Sequence, residues 1–273
     1  MKTQIIIIFC FVDDYLKAIN FQDDRQAQMS TAEIITAAIT AAMFFGGNHE
    51  KCRKFLDDHG YVKNMLSKSQ FNRRWHAIDM SIWEQINYFL GQIFKARNKT
   101  SEYAIDSFPV AVCENIRISR CSIYEEEKYR GYSASKNQYF FGIRVHMICT
   151  VTGEPVEIIF APGSVSDAKI FKEFELDLPE KSKLYGDGMY NDYAWEDIAK
   201  EALNIDILPI RKSNMTRQHA PHISFWISHQ RKNIETTFSR ITRLFPKRIH
   251  AVTAKGFELK VFTFILGYSI SLL

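Results

Sequence analysis

The sequence predicts an α/β fold, in which a mixed five-stranded sheet flanked by helices follows a smaller, all-helical N-terminal domain. Three observations lead to this prediction. Residues 1–100 have the apolar spacing and end signals of helices, and strand-like alternation begins only after them. From there, strand and helix patterns alternate towards the end of the chain. A length of 273 residues with 46% hydrophobic residues is enough for one substantial core beside a smaller domain.

Helix-forming patterns fill the first hundred residues. The segment MSTAEIITAAITAAMFFGG predicts a helix that starts with a capping box, Ser30 and Glu33, and stops at a Gly-Gly pair. A shorter helix follows, and the apolar spacing in SKSQFNRRWHAI predicts a third, with Arg73 and Arg74 facing outward. Three short helices, of which the third is basic, favour a helix-turn-helix-like DNA-binding domain over 1–100. An ordinary helical bundle with solvated arginines is the alternative.

Strand and helix patterns alternate through the rest of the chain. They predict a strand in SEYAIDSFPVAVC, a hairpin of strands 139–150 and 155–160, and a short helix in SDAKIFKEF. A strand in KSKLYGDGMY, a helix in DYAWEDIAKEAL, a strand in IDILPI and a helix over 226–245 follow. This order is that of the ribonuclease-H-like fold, and it assigns 101–273 to one domain. The polar stretch 116–138 is predicted to be a flexible surface loop; the alternative is a segment that stacks on exposed bases or grips a hairpin end.

Charge is divided unevenly along the chain, although the net charge is only +4. Residues 1–100 carry a net charge of +3, residues 101–210 carry −8, and residues 211–273 carry +9. A strongly basic end suggests a polyanionic partner such as double-stranded DNA, and the acidic middle suggests carboxylates gathered for another purpose.

Cysteine usage and hydropathy narrow the class of protein. Five cysteines, an odd number without a C-x-x-C pair, argue against disulfides and favour reduced thiols in a cytoplasmic protein. The apolar runs at 5–12 and 261–273 are too short to span a bilayer, so no membrane role is expected.

Three carboxylates stand out because of where they lie. Asp106 falls within an otherwise apolar strand, and Asp187 ends the fourth predicted strand, where ligands collect in α/β sheets. Glu235 is the one acid in the basic segment SHQRKNIETTFSRITRLFPKR and lies at the edge of that helix's apolar stripe. Carboxylate oxygens are the ligands that Mg²⁺ prefers, and two such ions can drive phosphodiester chemistry. Taken singly, each acid has a structural alternative: an edge residue, a turn residue before Gly188, or an ion pair with Arg231.

Basic residues near these acids are predicted to contact DNA. Those in the third N-terminal helix, after the fifth strand and on the polar side of the 226–245 segment are Arg73, Arg74, Arg211, Lys212, Arg231, Lys232, Arg240, Arg243 and Lys247. A solvated basic surface is the alternative.

Several segments, in order, resemble the DDE-type transposases of bacterial insertion sequences. They are IDSFPVAVCENIRISR, YFFGIRVHMICTVTGEPVEIIFAPGSVSD, LYGDGMYND, LPIRKSNM and RKNIETTFSRI. The resemblance implies that Asp106, Asp187 and Glu235 are the DDE triad, with Mg²⁺ or Mn²⁺ as cofactor. GDGMY departs from the commoner GDKGY of such proteins. Gly188 replaces a lysine, whose loss would weaken a DNA contact, and Met189 replaces a glycine, whose loss would change the turn that aims Asp187.

The expected function is that of a metal-dependent DNA transposase. It would bind the ends of its insertion sequence, hydrolyse phosphodiester bonds there with two metal ions, and join the 3′-hydroxyl ends to target DNA. Chemistry at paired ends would suit a homodimer. Two alternatives remain open: a decayed or repurposed protein that binds DNA without cutting it, and a metal-dependent nuclease without strand transfer.

Overall fold

The computed structural model describes residues 1–134 and 137–273, which form two compact units. One unit comprises Met1–Asn87 and Arg240–Leu273, and we call it the helical unit. The other comprises Tyr88–Ser239, and we call it the sheet unit. The last helix of the chain thus belongs to the helical unit, and the assignment of functions to 1–100 and 101–273 stays a prediction. Within the described residues, no helix is long and apolar enough to cross a membrane.

The helical unit is built from segments at both ends of the chain. Its helices are α1 (Lys2–Ala18), α2 (Thr31–Phe44), α3 (His49–Asp58), α4 (Lys68–Ala77), the start of α5 (Met80–Arg97), the last turn of α8 (Pro221–Leu244) and α9 (Ala254–Ile270). The predicted capping box is confirmed: Ser30 Oγ accepts a hydrogen bond from Glu33 N at 3.1 Å, and Glu33 Oε2 accepts one from Ser30 N at 2.7 Å. The outward position of Arg73 is confirmed as well, because its side chain is exposed.

The sheet unit is a mixed six-stranded sheet with helices. Its strands are β1 (Glu102–Cys113), β2 (Arg130–Ser133), β3 (Gln138–Thr150), β4 (Pro155–Pro162), β5 (Lys183–Gly186) and β6 (Asp206–Pro209). Its remaining helices are α6 (Asp167–Phe171) and α7 (Tyr193–Leu203). Strand β1 is central, antiparallel to β3 and parallel to β5, which pairs in parallel with β6. The predicted ribonuclease-H-like α/β fold is confirmed.

The predicted number of strands was wrong by one. Strand β2 pairs with the first residues of β3 and lies within the stretch predicted to be a loop. Its sequence, Arg-Gly-Tyr-Ser, is polar, yet its residues alternate between exposed and buried. Gly131 allows this pairing, because a Cβ atom there would meet the Gly163 carbonyl oxygen at 2.3 Å. The strand is stabilised by a close backbone approach, which a hydrophobicity pattern does not report.

Helix α8 packs its first five turns on the sheet. The Phe238 and Phe108 ring centroids are 4.7 Å apart, and Trp226 Nε1 donates a hydrogen bond to the Tyr185 hydroxyl at 3.1 Å. Thr237 Oγ1 donates another to the Gly153 carbonyl at 3.1 Å. The predicted apolar stripe of this helix is thereby confirmed for Phe238, which is 8% exposed.

Helix α5 approaches the sheet closely where it has a glycine. A Cβ atom on Gly91 would lie 2.6 Å from the carbonyl oxygen of Val156 in β4, which is closer than carbon and oxygen atoms can come. We therefore expect Gly91→Ala to lower the free energy of unfolding by about 1–3 kcal/mol, although alanine favours helix formation. Urea unfolding followed by circular dichroism measures the change. Glu84→Ala, at an exposed position of the same helix, is the control and should change it by less than about 0.5 kcal/mol; equal effects would contradict the argument.

Candidate functional site

The register of two parallel strands brings Asp106 and Asp187 to the same level of the sheet. Ala104 of β1 lies beside Tyr185 of β5, and each aspartate follows two residues later. Because side chains alternate along a strand, Asp106 points to the same face as Ala104 and Phe108, which is the face that α8 covers. Neighbouring strands are about 4.8 Å apart, so the two carboxylates are close neighbours at this edge.

Asp106 is held from two sides. Its Oδ1 atom accepts a hydrogen bond from Ser107 N at 2.8 Å, and its Oδ2 atom accepts one from Arg231 Nη2 at 3.2 Å. Burial raises the pKa of Asp106 to about 6; the bond to Ser107 N and the charge of Arg231 oppose this rise, and the charge of Asp187 adds to it. Only 19% of the Asp106 side chain is exposed, so these charges act across little water.

Asp187 follows the end of β5 and caps the turn Gly188–Tyr190. Its Oδ1 atom accepts a hydrogen bond from Met189 N at 2.7 Å. Burial raises the pKa of Asp187, while the bond to Met189 N and the charge of Arg231 lower it. The turn chemistry considered as an alternative is therefore present, and it orients the same carboxylate that lies beside Asp106.

A third aspartate joins this cluster that the sequence analysis did not single out. Asp167, the first residue of α6, accepts a hydrogen bond from Ser107 Oγ at 2.8 Å, and Arg144 Nη1 donates to the same hydroxyl at 3.3 Å. Ser107 thus joins the carboxylates of Asp106 and Asp167. His146 Nδ1 lies 3.4 Å from Asp167 Oδ1, but burial lowers the pKa of His146 to about 3, so the ring is neutral.

The charges of these three aspartates affect the pKa of Tyr190. Its hydroxyl is buried and has no hydrogen-bond partner among the described residues. Burial raises the Tyr190 pKa well above its ordinary value, and the charges of Asp167, Asp106 and Asp187 raise it further. The charges of three carboxylates therefore reach one buried hydroxyl, and we call Asp106, Asp167 and Asp187 the acidic cluster.

Among the described residues, Glu235 forms no metal-binding group with the aspartates. It is exposed on α8, one turn after Arg231, and Arg231 pairs with Asp106 rather than with Glu235. Across residues 1–134 and 137–273, no group of three His, Cys, Asp or Glu side chains is arranged to hold a metal ion. The structure brings together two members of the predicted triad, and the role of Glu235 stays a prediction.

A divalent cation fits the chemistry of the two paired aspartates. Burial raises the pKa of both carboxylates, the charge of Asp187 raises that of Asp106 further, and the charge of Asp167 raises that of Asp187 further. Partly buried acids of this kind are stabilised by a cation, and carboxylate oxygens suit Mg²⁺ and Mn²⁺. Arg231 supplies one positive charge at Asp106, so a metal ion would compete with the guanidinium for that carboxylate.

The basic residues predicted to contact DNA fall into two groups. Six are exposed: Arg73, Lys212, Lys232, Arg240, Arg243 and Lys247. The other three are engaged within their own unit. Arg74 pairs with Asp23 at 3.4 Å and Arg231 pairs with Asp106. The Arg211 side chain is 4% exposed and donates two hydrogen bonds to the carboxylate of Glu196, which favours a structural role for it.

The chain belongs to the family described as transposase DDE domain. The model of that family matches residues 96–249, which is more than half of the chain and includes both strands that carry the paired aspartates. The match also includes Asp167 and Glu235.

Similarity beyond the family is low. A cryo-EM structure of a piggyBac transposase synaptic complex with hairpin DNA superimposes with a TM-score of 0.48 and 10% sequence identity. The superposition covers 97% of this chain and 71% of that one. A likeness of this size supports no inference about this chain. No curated protein sequence matches it.

The raised pKa of Asp106 predicts a pH-dependent stability. The folded state favours protonated Asp106, so the stability that this group contributes is fully present below about pH 4 and is lost as the pH rises through about 6. Asp106→Asn removes this titration. In the absence of metal, it should raise the free energy of unfolding by about 1–3 kcal/mol at pH 7.5 and by less than about 1 kcal/mol at pH 4.

Urea unfolding in EDTA at several pH values measures this difference. Asp58→Asn, an exposed acid of the helical unit, controls for the change of charge alone. Parallel stability curves for the wild type and Asp106→Asn would contradict the proposed burial of the charge.

Proposed function

We propose that this protein is a DNA transposase that binds the ends of its element, hydrolyses phosphodiester bonds there and joins the 3′-hydroxyl ends to target DNA. The observation that supports the proposal best is the placement of Asp106, within β1, and Asp187, just after β5, at the same level of two neighbouring strands, in a chain that belongs to the transposase DDE family. An acidic pair of raised pKa has few uses in a protein core, and holding a divalent cation is the one that suits phosphodiester chemistry.

Asp106 and Asp187 would hold Mg²⁺ or Mn²⁺, with Glu235 as the third carboxylate, and the site would take two ions. Such ions, when bound, activate the attacking oxygen and stabilise the leaving oxygen of a phosphodiester. Ser107 N and Met189 N each donate to one carboxylate oxygen, so they orient the two acids and leave the remaining oxygens for ligands. Burial raises the pKa of Asp106 and the charge of Arg231 opposes that rise in the protein alone; Arg231 would be available to meet a phosphate if Asp106 exchanged it for a metal.

The partner is double-stranded DNA, both at the element ends and at the target. The exposed cations after β6 and on α8 would contact its phosphates, because their side chains reach solvent. The N-terminal helices would contribute Arg73. Cutting at paired ends would suit two copies of the chain, so a homodimer is the proposed assembly.

The first test is the isosteric removal of one paired charge. Asp106→Asn and Asp187→Asn should each lower cutting of element ends at least about 10²-fold in Mg²⁺, because a carboxamide binds the ion far more weakly. Binding to the same DNA should persist. Asp197→Asn, which changes an exposed acid paired with Arg217, is the matched control.

Metal binding gives a second readout that does not depend on cutting. Mn²⁺ binding, followed by electron paramagnetic resonance, should weaken in both site variants and persist in the control. Cutting by Asp106→Asn at the wild-type rate would refute the proposal.

Glu235 needs its own test, because it is exposed and, among the described residues, forms no metal-binding group with the aspartates. If Glu235 joins them once DNA and metal are bound, Glu235→Gln should lower cutting by at least about 10²-fold while DNA binding persists. Glu201→Gln, at an exposed acid of α7, is the control. Unchanged cutting by Glu235→Gln would exclude it as a ligand, and Asp167→Asn then tests whether the third aspartate takes that place.

One observation favours a non-catalytic protein as the second candidate. Arg231 already neutralises Asp106, so the acidic pair can be stable without any metal. A protein that only binds DNA would show affinity for element ends and no cutting by the wild type at any Mg²⁺ or Mn²⁺ concentration. A nuclease without strand transfer would cut, but it would not join a pre-cut end to target DNA.

A further inference from the structure

The helical unit contains a large concave site. Its volume is about 970 Å³. The start of α3, one side of α4, the segment that follows α8, and α9 line it, and all of these residues belong to the helical unit. We call this site the basic pocket.

Cations dominate the lining of the basic pocket. The charged side chains that line it are Arg53, Lys68, Lys247, Arg248, Lys260 and Glu50. The single acid is already engaged, because Glu50 Oε2 lies 2.7 Å from Arg53 Nη1. Within the described parts of the chain, Lys68, Lys247 and Lys260 form no ion pair. These three lysines therefore give the pocket positive charge that no carboxylate of the described residues pairs with.

Lys260 shows that this charge reaches into the protein. Its ammonium group donates a hydrogen bond to the His250 carbonyl, and burial lowers the pKa of Lys260. The same ammonium helps to keep two histidines neutral. Burial lowers the pKa of His49 to about 3 and also lowers that of His76, and in both the charge of Lys260 lowers it further. A half-buried cation without a carboxylate is costly unless an anion comes to it.

The N-terminus of α3 adds to the positive potential. Gly47, Asn48 and His49 line the pocket at that end of the helix, where the helix dipole places partial positive charge. Asn48 Oδ1 accepts a hydrogen bond from Lys51 N at 3.0 Å, so the side-chain cap of the helix is already formed. The N-terminus of α3 therefore contributes to the pocket through the electrostatic potential of the helix dipole.

We propose that the basic pocket binds the sugar-phosphate backbone of duplex DNA. The proposal rests on the proposed function, because a chain that cuts DNA must hold it by more than its acidic site. The pocket is far larger than one phosphate group, and its lysines come from three separate segments, which suits a run of successive phosphates. Of its cations, only Lys247 is among the residues predicted from the sequence to contact DNA.

Salt dependence tests the proposal, because each phosphate contact made by a cation adds about 0.9 to the slope of log affinity against log salt concentration. The double variant Lys68→Gln/Lys247→Gln should lower the slope for a 30-bp duplex by about 1–2 and weaken binding at least about 10-fold at low salt. Fluorescence anisotropy measures both quantities. Both side chains are exposed, so the fold should persist, which circular dichroism checks.

The matched control removes the same charge from the same unit. Lys51→Gln/Lys54→Gln changes two exposed lysines of α3 that do not line the pocket, and its slope should stay within about 0.5 of the wild type. Equal losses in the two double variants would overturn the proposal, as would an unchanged slope in the pocket variant.

Chemical footprinting locates the contact in the unaltered protein. Lysine acetylation, read by mass spectrometry, should be slowed by the duplex at Lys68, Lys247 and Lys260, and not at Lys51 or Lys54. Inorganic pyrophosphate is the second arm. If pyrophosphate protects the same lysines and the pocket variant keeps its DNA affinity, the pocket is a site for a small anion and the proposal is overturned.

Failure of this proposal is distinguishable from failure of the proposed function. The pocket variant retains Asp106 and Asp187, so its Mn²⁺ binding, followed by electron paramagnetic resonance, should match that of the wild type. If the pocket variant cuts at the wild-type rate and has an unchanged salt slope, the pocket is refuted as a DNA-binding site and the proposed transposase function stands. If the pocket variant has a lower salt slope but the wild type never cuts DNA, the basic pocket is supported as a DNA-binding site and the proposed transposase activity is refuted.

Discussion

The parallel pairing of β1 with β5 is the constraint on which the acidic cluster depends. Three residue pairs, beginning with Glu102 beside Lys183, fix the relative level of the two strands. A shift of one residue would turn Asp106 to the other face of the sheet, away from α8. The pairing is short, so its neighbours must stabilise it: β3 pairs along nearly all of β1, and α8 covers the face. The position of the two carboxylates thus depends on the register of β1 and β5. Burying them costs free energy of folding, which the packing of the rest of the sheet unit must offset.

Local patterns in the sequence were sufficient for most of the fold. The capping box at Ser30 is complete within four residues, and the β3–β4 hairpin is set by its turn around Gly153. The apolar stripe of α8 is likewise a property of one segment. Such features are predictable because the interactions that decide them join residues that are close in sequence. Asp106 and Asp187 were found for the same reason, since each stands out against its own strand.

What the sequence did not reveal depends on partners far apart in the chain. Arg231 looks like a DNA contact in its basic segment, yet its partner is Asp106, 125 residues earlier. Arg211 likewise has a buried partner, Glu196, on another element. Asp167 lies within a segment used for the resemblance, but only the hydrogen bond from Ser107 reveals that it joins the cluster. The sequence around a basic or acidic residue does not show whether its side chain forms an ion pair within the fold or is available to contact a ligand.

The difference between cations that are paired within the fold and cations that are available to a ligand explains how one chain can have both an acidic site and a DNA partner. Paired carboxylates repel a phosphodiester, so affinity for DNA has to come from cations elsewhere on the same chain. In the sheet unit, Arg144 and Arg231 are used within the acidic cluster, where they reduce that repulsion locally. In the helical unit, the lysines of the basic pocket have no such acids to meet. Unpaired charge at one site and paired charge at another is therefore what a protein needs if it is to hold a polyanion by one surface and present carboxylates to it with another.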